Sequence, residues 1–385
     1  MVNYPKDWKQ DKIIDVADIF DNLRIPVAES IRVKGNTPYY GANGIQGYIK
    51  GYTHDGEFVL IAEDGASSLL DYPITFTRGK IWVNNHAHVL SGKDKILDNE
   101  YLAYALKKVN YEKIIVGGTR IKLNGSTLKA INLQYPKYTE QRKIALALNS
   151  FDTHIKNLSK LIEKKKMIRD GAVEDLVSGE KRLSNFSGEW DYKPVKSITK
   201  DVITGGTPST NIKEYWGGSI PWLASTEIHQ KNIRKATKNI SDLGLLNSSA
   251  KIAPKDSVLI ALAGQGKTRG TAAILGKNMA INQSLAALVC NEDNYYKFLF
   301  YAIEMNYEAL RELSSGDGGR GGLNKKLIKD FKINIPSDKN EQTAIADILS
   351  SMDKEIENLE KEKEKYLQLK SGAMDDLLTG KIRLV

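Results

Sequence analysis

One cysteine, Cys290, in 385 residues excludes an internal disulfide framework and agrees with a reducing compartment. No run approaches the about eighteen consecutive apolar residues of a membrane span. The opening Met-Val-Asn-Tyr-Pro-Lys-Asp-Trp has no charged-then-apolar leader pattern, so a cytoplasmic location without a membrane partner is expected. Histidine is scarce. His54, His154 and His229 lie far from the pair His86 and His88, which would share one strand face, and no ligand-like spacing links them, so no metal is expected. The adjacent carboxylates Glu63-Asp64 and Asp375-Asp376 lack any accompanying acid–base constellation. There is no Asn-Pro-Pro-aromatic motif for adenine methylation and no nuclease or helicase signature. The stretch Ala261 to Thr268 resembles a phosphate-binding loop, but Ala261 replaces its first glycine and an extended segment follows instead of a helix.

Positive charge is in modest excess. There are 56 Lys and Arg against 47 Asp and Glu, a net charge of +9, which suits a polyanionic partner. The lysines between Lys160 and Lys166 are equally compatible with a solvated helix face. A hydrophobic content of 41% suffices for two ordinary cores.

The chain repeats itself over a long period. Glu140 to Leu183 aligns without gaps with Glu341 to Leu384, 201 residues on, and 20 of the 44 pairs are identical. Such a repeat governs the whole architecture. In the first copy Ile144, Leu148, Phe151, Ile155, Leu158 and Ile162 follow the four-three spacing of a coiled-coil seam; in the second, Ile345, Leu349, Met352, Ile356 and Leu359 keep the register. Thr139 and Asn340 are the expected N-caps, each before a Glu suited to the helix dipole, and Gly179 and Gly380 the expected C-caps. Each helix would be about 60 Å long. Gly171 and Gly372 interrupt both helices, which suggests close approach of another backbone, with fraying as the alternative. One stripe on an otherwise charged helix calls for a partner of its own kind, so the two helices are expected to pair antiparallel. Packing of each helix on its own block is the competing reading.

The intervening blocks read as mixed α and β. Phe58 to Ile61 and Lys80 to Val83 look like strands and Asn99 to Lys108 like a helix; in the second block Ser257 to Leu262 and Thr271 to Leu275 look like strands, Tyr295 to Leu313 like a helix and Ile333 to Pro336 like a last extended segment. Both blocks open on a tryptophan, Trp8 and Trp190. Both close on matching text, Leu123-Asn124 with Pro136 and Leu323-Asn324 with Pro336. Between those ends they share little.

These residues resemble a known family, the specificity subunits of type I restriction-modification enzymes, over nearly the whole chain. The resemblance is carried by Pro38 to Ile45 with Gly47-Tyr48-Ile49, by Gly79 to Val83 with His86 and His88, by Thr204 to Ser209 with Tyr215 to Trp222, and by Ile281 to Ser284. The Glu-Gln helix starts and the Gly-x-x-Arg-Leu endings are also family-like. The implied fold class is α+β, with target recognition domains at 1–138 and 184–339 separated by spacer helices at 139–183 and 340–385 in a pseudo-two-fold repeat. The resemblance implies a non-catalytic subunit whose two domains each read half of a split, asymmetric site on double-stranded DNA. Its helices would fix the gap and dock two modification subunits. No cofactor is then expected on this chain: S-adenosylmethionine belongs to the modification subunits, and ATP and Mg to restriction subunits that can join the complex.

Candidates for DNA contact are cations and polar groups on glycine-rich loops. In the first block these are Arg78, Lys80, Arg120 and Lys122; in the second, Lys267, Thr268, Arg269 and Arg320 within the Gly316 to Gly322 loop. For each one taken singly, a solvated surface charge is the alternative. For the chain as a whole, the alternative is a protein scaffold built on a two-helix rod, which lacks a reason to bind DNA in a salt-sensitive way.

Overall fold

The computed structural model describes residues 4–66, 68–115, 122–264, 266–313 and 322–385. The chain divides into two compact units, one joining residues 1–160 to 360–385 and the other comprising 161–359. Each unit therefore holds one block, the first half of one long helix and the second half of the other.

In the first unit β1 (Lys9–Lys12), α1 (Ile13–Val16), β2 (Ala17–Ile19), β3 (Thr37–Gly41), β4 (Gly44–Ile49), β5 (His54–Ala62), β6 (Ile74–Val83) and β7 (Ala87–Gly92) lead to α2 (Asn99–Lys107), α3 (Tyr111–Ile114), α4 (Gly125–Lys129), β8 (Asn132–Tyr135) and the long α5 (Tyr138–Ser178). Six strands form one sheet in the order β2-β7-β5-β6-β3-β4, with β3 parallel to β6 and the rest antiparallel. Strand β5 is central, and its run Phe58 to Ile61 is buried on both faces because one core cluster takes Val59 and Ile61 and another takes Phe58 and Leu60. Asp98 caps α2 by accepting from Tyr101 N at 2.9 Å, and Leu102 and Leu106 pack on Val59, Ile61 and Leu90 of the sheet. Strands β1 and β8 pair separately, tying the start of the block to its end.

The second unit runs through β9 (Trp190–Pro194), α6 (Val195–Ile198), β10 (Thr199–Thr204), β11 (Trp216–Leu223), β12 (Asn232–Ile233), β13 (Lys238–Ile240), α7 (Asp242–Leu246), β14 (Lys251–Ala253), β15 (Val258–Ala261), β16 (Ala272–Leu275), β17 (Met279–Ile281), β18 (Leu285–Cys290), α8 (Tyr296–Met305), α9 (Tyr307–Leu313), α10 (Lys325–Asp330), β19 (Lys332–Pro336) and the long α11 (Lys339–Leu377). Its strands form sheets ordered β10-β18-β15-β16-β12 and β13-β11-β17-β14, and β9 pairs with β19 as β1 does with β8. The single helix expected over Tyr295 to Leu313 is two. Asn306 leaves helical geometry and its Nδ2 donates back to Ala302 O at 2.8 Å, closing α8 before α9 begins.

Residues 201 apart perform the same task in both units. Gln141 and Gln342 each donate to a proline carbonyl, Pro136 or Pro336, at 2.9 Å, while their Oε1 atoms accept from the backbone of Asp98 and Tyr295. Asp152 accepts from Tyr104 Oη at 2.6 Å and Asp353 from Tyr301 Oη at 2.8 Å; each also binds a cation of the other long helix, Lys370 and Arg169 respectively, themselves 201 apart. Arg383 grips Glu140 through two bonds of 2.8 Å, and Arg182 grips Glu341 at 2.7 and 2.8 Å. The end of one helix therefore clamps the start of the other in each unit, an antiparallel arrangement. Asn124 and Asn324, the matching text at the block ends, cap α4 and α10 through Thr127 N and Leu327 N.

The helix ends differ by small steps from expectation. Lys137 and Asp338 occupy the N-cap positions instead of Thr139 and Asn340: Glu140 N and Gln141 N donate to Lys137 O, and Asp338 Oδ1 accepts from Asn340 N at 2.8 Å. At the other end Gly179 (φ +81°) and Gly380 (φ +72°) take the left-handed turn. A Cβ on Gly380 would lie 2.4 Å from Pro5 Cγ, and one on Gly179 3.1 Å from the Trp190 ring, so each glycine sits under the opening of a block. Gly171 and Gly372 do not serve close packing, because nothing lies within 4 Å of an added Cβ at either.

The apolar stripe has two kinds of neighbour. Ile144 and Leu148 join the first block's core together with Leu377 at the end of α11 and Leu378 just beyond it, and Ile345 and Leu349 join the second with Val173 and Val177 of α5. Further along, Leu158, Ile162 and Ile356 are buried, while Phe151, Ile155, Met352 and Leu359 are half-buried. Phe151 lies 6.4 Å from Tyr366. The helices thus pair and also pack on the blocks.

Candidate nucleic-acid interface

The first block's candidates lie on the β5–β6 hairpin and the loop beyond. Gly56 (φ +148°) faces Gly79 (φ +82°) across that hairpin, which lets the two strands bend where Arg78 and Lys80 emerge. Arg78 Nε binds Glu57 Oε1, its cross-strand partner, at 2.9 Å, and Nη2 lies 3.5 Å from Glu100. Two carboxylates thus offset its charge. Lys80 Nζ sits 4.7 Å from the Tyr52 ring centroid, an exposed cation on an exposed aromatic. Lys122 pairs with Glu63 at 3.3 Å, and Arg120 lies outside the described residues.

In the second block the turn between β15 and β16 carries Lys267, Thr268 and Arg269. It joins two antiparallel strands, so the segment resembling a phosphate loop is a hairpin connection. Helix α9 braces it: Tyr307 Oη donates to Lys267 O at 2.9 Å and Arg311 Nη1 to Gly266 O at 2.7 Å. Lys267 is exposed on this braced turn, Arg269 is half-buried, and Thr268 Oγ1 lies 3.4 Å from His229 Nε2. Arg320 and the rest of its loop up to residue 321 lie outside the described residues.

The three histidines of the first block and the cysteine are held by the fold. His86 lies in the turn before β7, not on the strand face expected of it, and its Nδ1 meets Asp64 at 2.6 Å. His88 is buried, with Nδ1 on Asp21 at 2.5 Å and Nε2 on Leu123 O at 2.8 Å. Burial pushes the His54 imidazole below its ordinary value and the Cys290 thiol up to about 12, so Cys290 is no nucleophile at neutral pH. Among the described residues no group of three His, Cys, Asp or Glu is placed to hold a metal, and no helix is long and apolar enough to cross a membrane.

Pattern reading missed other cations. Arg32 Cζ lies 3.9 Å from the Tyr39 ring centroid, and Lys238 Nζ lies 5.6 Å from that of Trp216. No motif marks either. A tyrosine or tryptophan at the opening of each block was the available signal, and which cation reaches it depends on the folded loops.

Two unlike α/β blocks, each fastened by matching helix-borne residues and each presenting cations on its loops, define a tandem-repeat protein. The family model described as "Type I restriction modification DNA specificity domain" matches the chain twice, at residues 5–165 and 187–368, and the chain belongs to this family. A Haemophilus influenzae protein named as a type I restriction enzyme specificity subunit is 46% identical over 144 residues, 37% of either chain. The MjaIX specificity subunit of Methanocaldococcus jannaschii is 30% identical over 190 residues, 48% of this chain and 43% of its own, so the chain spans less than half the length of these two relatives. The EcoR124I/EcoR124II specificity subunit of Escherichia coli is 25% identical over 93% of this chain and 89% of its own. The crystal structure of an S subunit of a type I system from M. genitalium shares the fold, with a TM-score of 0.72 at 17% identity over 98% of this chain and 97% of that one.

Proposed function

We propose that this chain is the DNA specificity subunit of a type I restriction-modification complex. Each block reads one half of a split, asymmetric duplex site, the paired helices set the gap, and the helices also dock two modification subunits. The reading rests most directly on the double family match, one per block, on blocks whose contents differ while their frame is shared. Unlike contents on a common frame suit unlike half-sites. The chain supplies no chemistry: S-adenosylmethionine enters with the modification subunits, and ATP and Mg with restriction subunits where these join. Lys80, Lys122, Lys267, Thr268 and Arg269 stand as phosphate or base contacts, with Arg78 the weaker candidate because Glu57 and Glu100 offset its charge. Arg120 and Arg320 remain candidates from the sequence.

The test is to combine the chain with its methyltransferase subunit and S-adenosylmethionine and to map methylated adenines across a genome. One split motif with a constant gap is the expected result. A competent, stably assembled complex that methylates without such a motif would refute the reading.

A further inference from the structure

We propose that Arg32, in the segment that leads into β3 and bonded to Gln46 O of the β3–β4 hairpin, reads a guanine in one half of the DNA site, an inference that rests on the specificity-subunit reading above. Strand β4 is an edge of the six-stranded sheet, with β3 as its neighbour. A two-stranded ribbon of this kind fits the major groove.

Arg32 is held in place before any ligand arrives. Its guanidinium lies over Tyr39, a fully buried ring whose hydroxyl accepts from Val27 N and donates to Val27 O. Its Nε donates to Val27 O at 3.1 Å and its Nη1 to Gln46 O at 3.2 Å. Stacking fixes the plane of the fork and these two bonds fix its rotation. Among the described residues no carboxylate lies within ion-pair distance of Arg32, whereas Arg24 is bound to Glu63 at 2.8 Å and Arg78 to Glu57 at 2.9 Å. Each bond uses one hydrogen, so the edge made by Nη2 and the second hydrogen of Nη1 is left to bind something else.

Guanine suits that edge better than a phosphate. A planar fork matches the paired O6 and N7 acceptors of guanine. Beside it in sequence Ile31 and Val33, and beside its partner Gln46 on β4 Ile45 and Tyr48, are 71%, 62%, 51% and 57% exposed. Apolar side chains gain little from a phosphate but pack on base edges and thymine methyl groups. The exposed Lys34 and Lys50 lie in the same part of the block and favour a negatively charged partner, as DNA is. In the second unit β11 runs parallel to β17 as β3 does to β6, and its edge neighbour β13 carries Lys238 over Trp216 instead. A lysine is a point charge without the fork, so the oriented two-pronged contact is assigned to the first block.

The test uses the full chain, tagged and isolated as its native complex, to select bound duplexes from a random-sequence pool. Glutamine pairs bidentately with adenine, so Arg32→Gln should move one position of one half-site from guanine to adenine, with about a tenfold or larger change in preference. Arg32→Lys should make that position degenerate, and the other half-site should stay as it is. Three results would overturn the assignment: an unchanged motif, binding weakened equally for all sequences, or loss of the entire half-site in both variants, which would make Arg32 a structural residue. If the unmodified complex selects no split motif, the specificity-subunit reading fails and this assignment falls with it. If it does select one, and the variants leave its guanines untouched, only Arg32 is wrong.

Discussion

Two glycines inside the long helices and two just beyond their ends behave in opposite ways. Gly171 and Gly372 have open space around them, so alanine at either should stabilise the protein by up to about 1 kcal/mol through helix propensity. Gly380 has φ +72° and Pro5 against it, so Gly380→Ala should cost about 1–2 kcal/mol or more. Thermal melting of the three variants checks the signs. A melting point for Gly380→Ala at or above that of the parent would remove the packing role assigned to it. Glu140 gives a second residue-scale expectation. Its bonds to Arg383 hold the carboxyl below the ordinary value of 4.5, so the pair stabilises the fold above that value and the stabilisation fades as pH falls through the acid range. Urea midpoints at neutral and acid pH should converge for parent and Glu140→Gln as the pH drops. A constant difference would show that the pair titrates elsewhere. The same scale shows where the sequence is silent. Arg78 reads as an available cation, and only the strand register that sets Glu57 opposite it and the placing of Glu100 on α2 show otherwise.

At the scale of elements the periodicity of α5 and α11 was legible, because a four-three apolar spacing defines a face wherever the helix goes. What that face meets was not legible. Leu349 is fully enclosed by the second block's core, while Leu359, on the same stripe, is only half-buried. Leu349→Ala should therefore cost about 2–5 kcal/mol and Leu359→Ala clearly less. Equal losses in chemical denaturation would mean that the stripe is one uniform seam. The break between α8 and α9 escaped pattern reading for a related reason. Asn306 is a tolerable helix residue by propensity, and its choice to bond back to Ala302 depends on how α9 is drawn over the Lys267 turn. The repeated polar residues, by contrast, were visible as repeats but not as partners: nothing in the spacing of Glu140 and Arg383 announces a bond between them.

For the whole molecule, the prediction concerns the gap between half-sites. Four residues inserted after Leu158 and after Leu359 add roughly 6 Å to each helix, so the preferred gap should lengthen by one or two base pairs while both half-site sequences persist. Mapped methylation sites give the readout, and a folded variant that keeps its old gap would remove the helices from that role. Binding should also weaken steeply with salt, as phosphate contacts require. A flat salt response with sequence preference retained would shift the weight to base contacts.

The reciprocal grip of Arg182 on Glu341 and of Arg383 on Glu140 also bears on how the protein is made. Residues 161–359 are continuous, so the second unit can close on itself as soon as they leave the ribosome. The first unit cannot, since Leu377, Leu378 and Arg383 belong to it and are translated after residue 359. The first block is therefore completed only after the second, and a frameshift beyond residue 359 should unfold the first unit while sparing the second, as limited proteolysis would show.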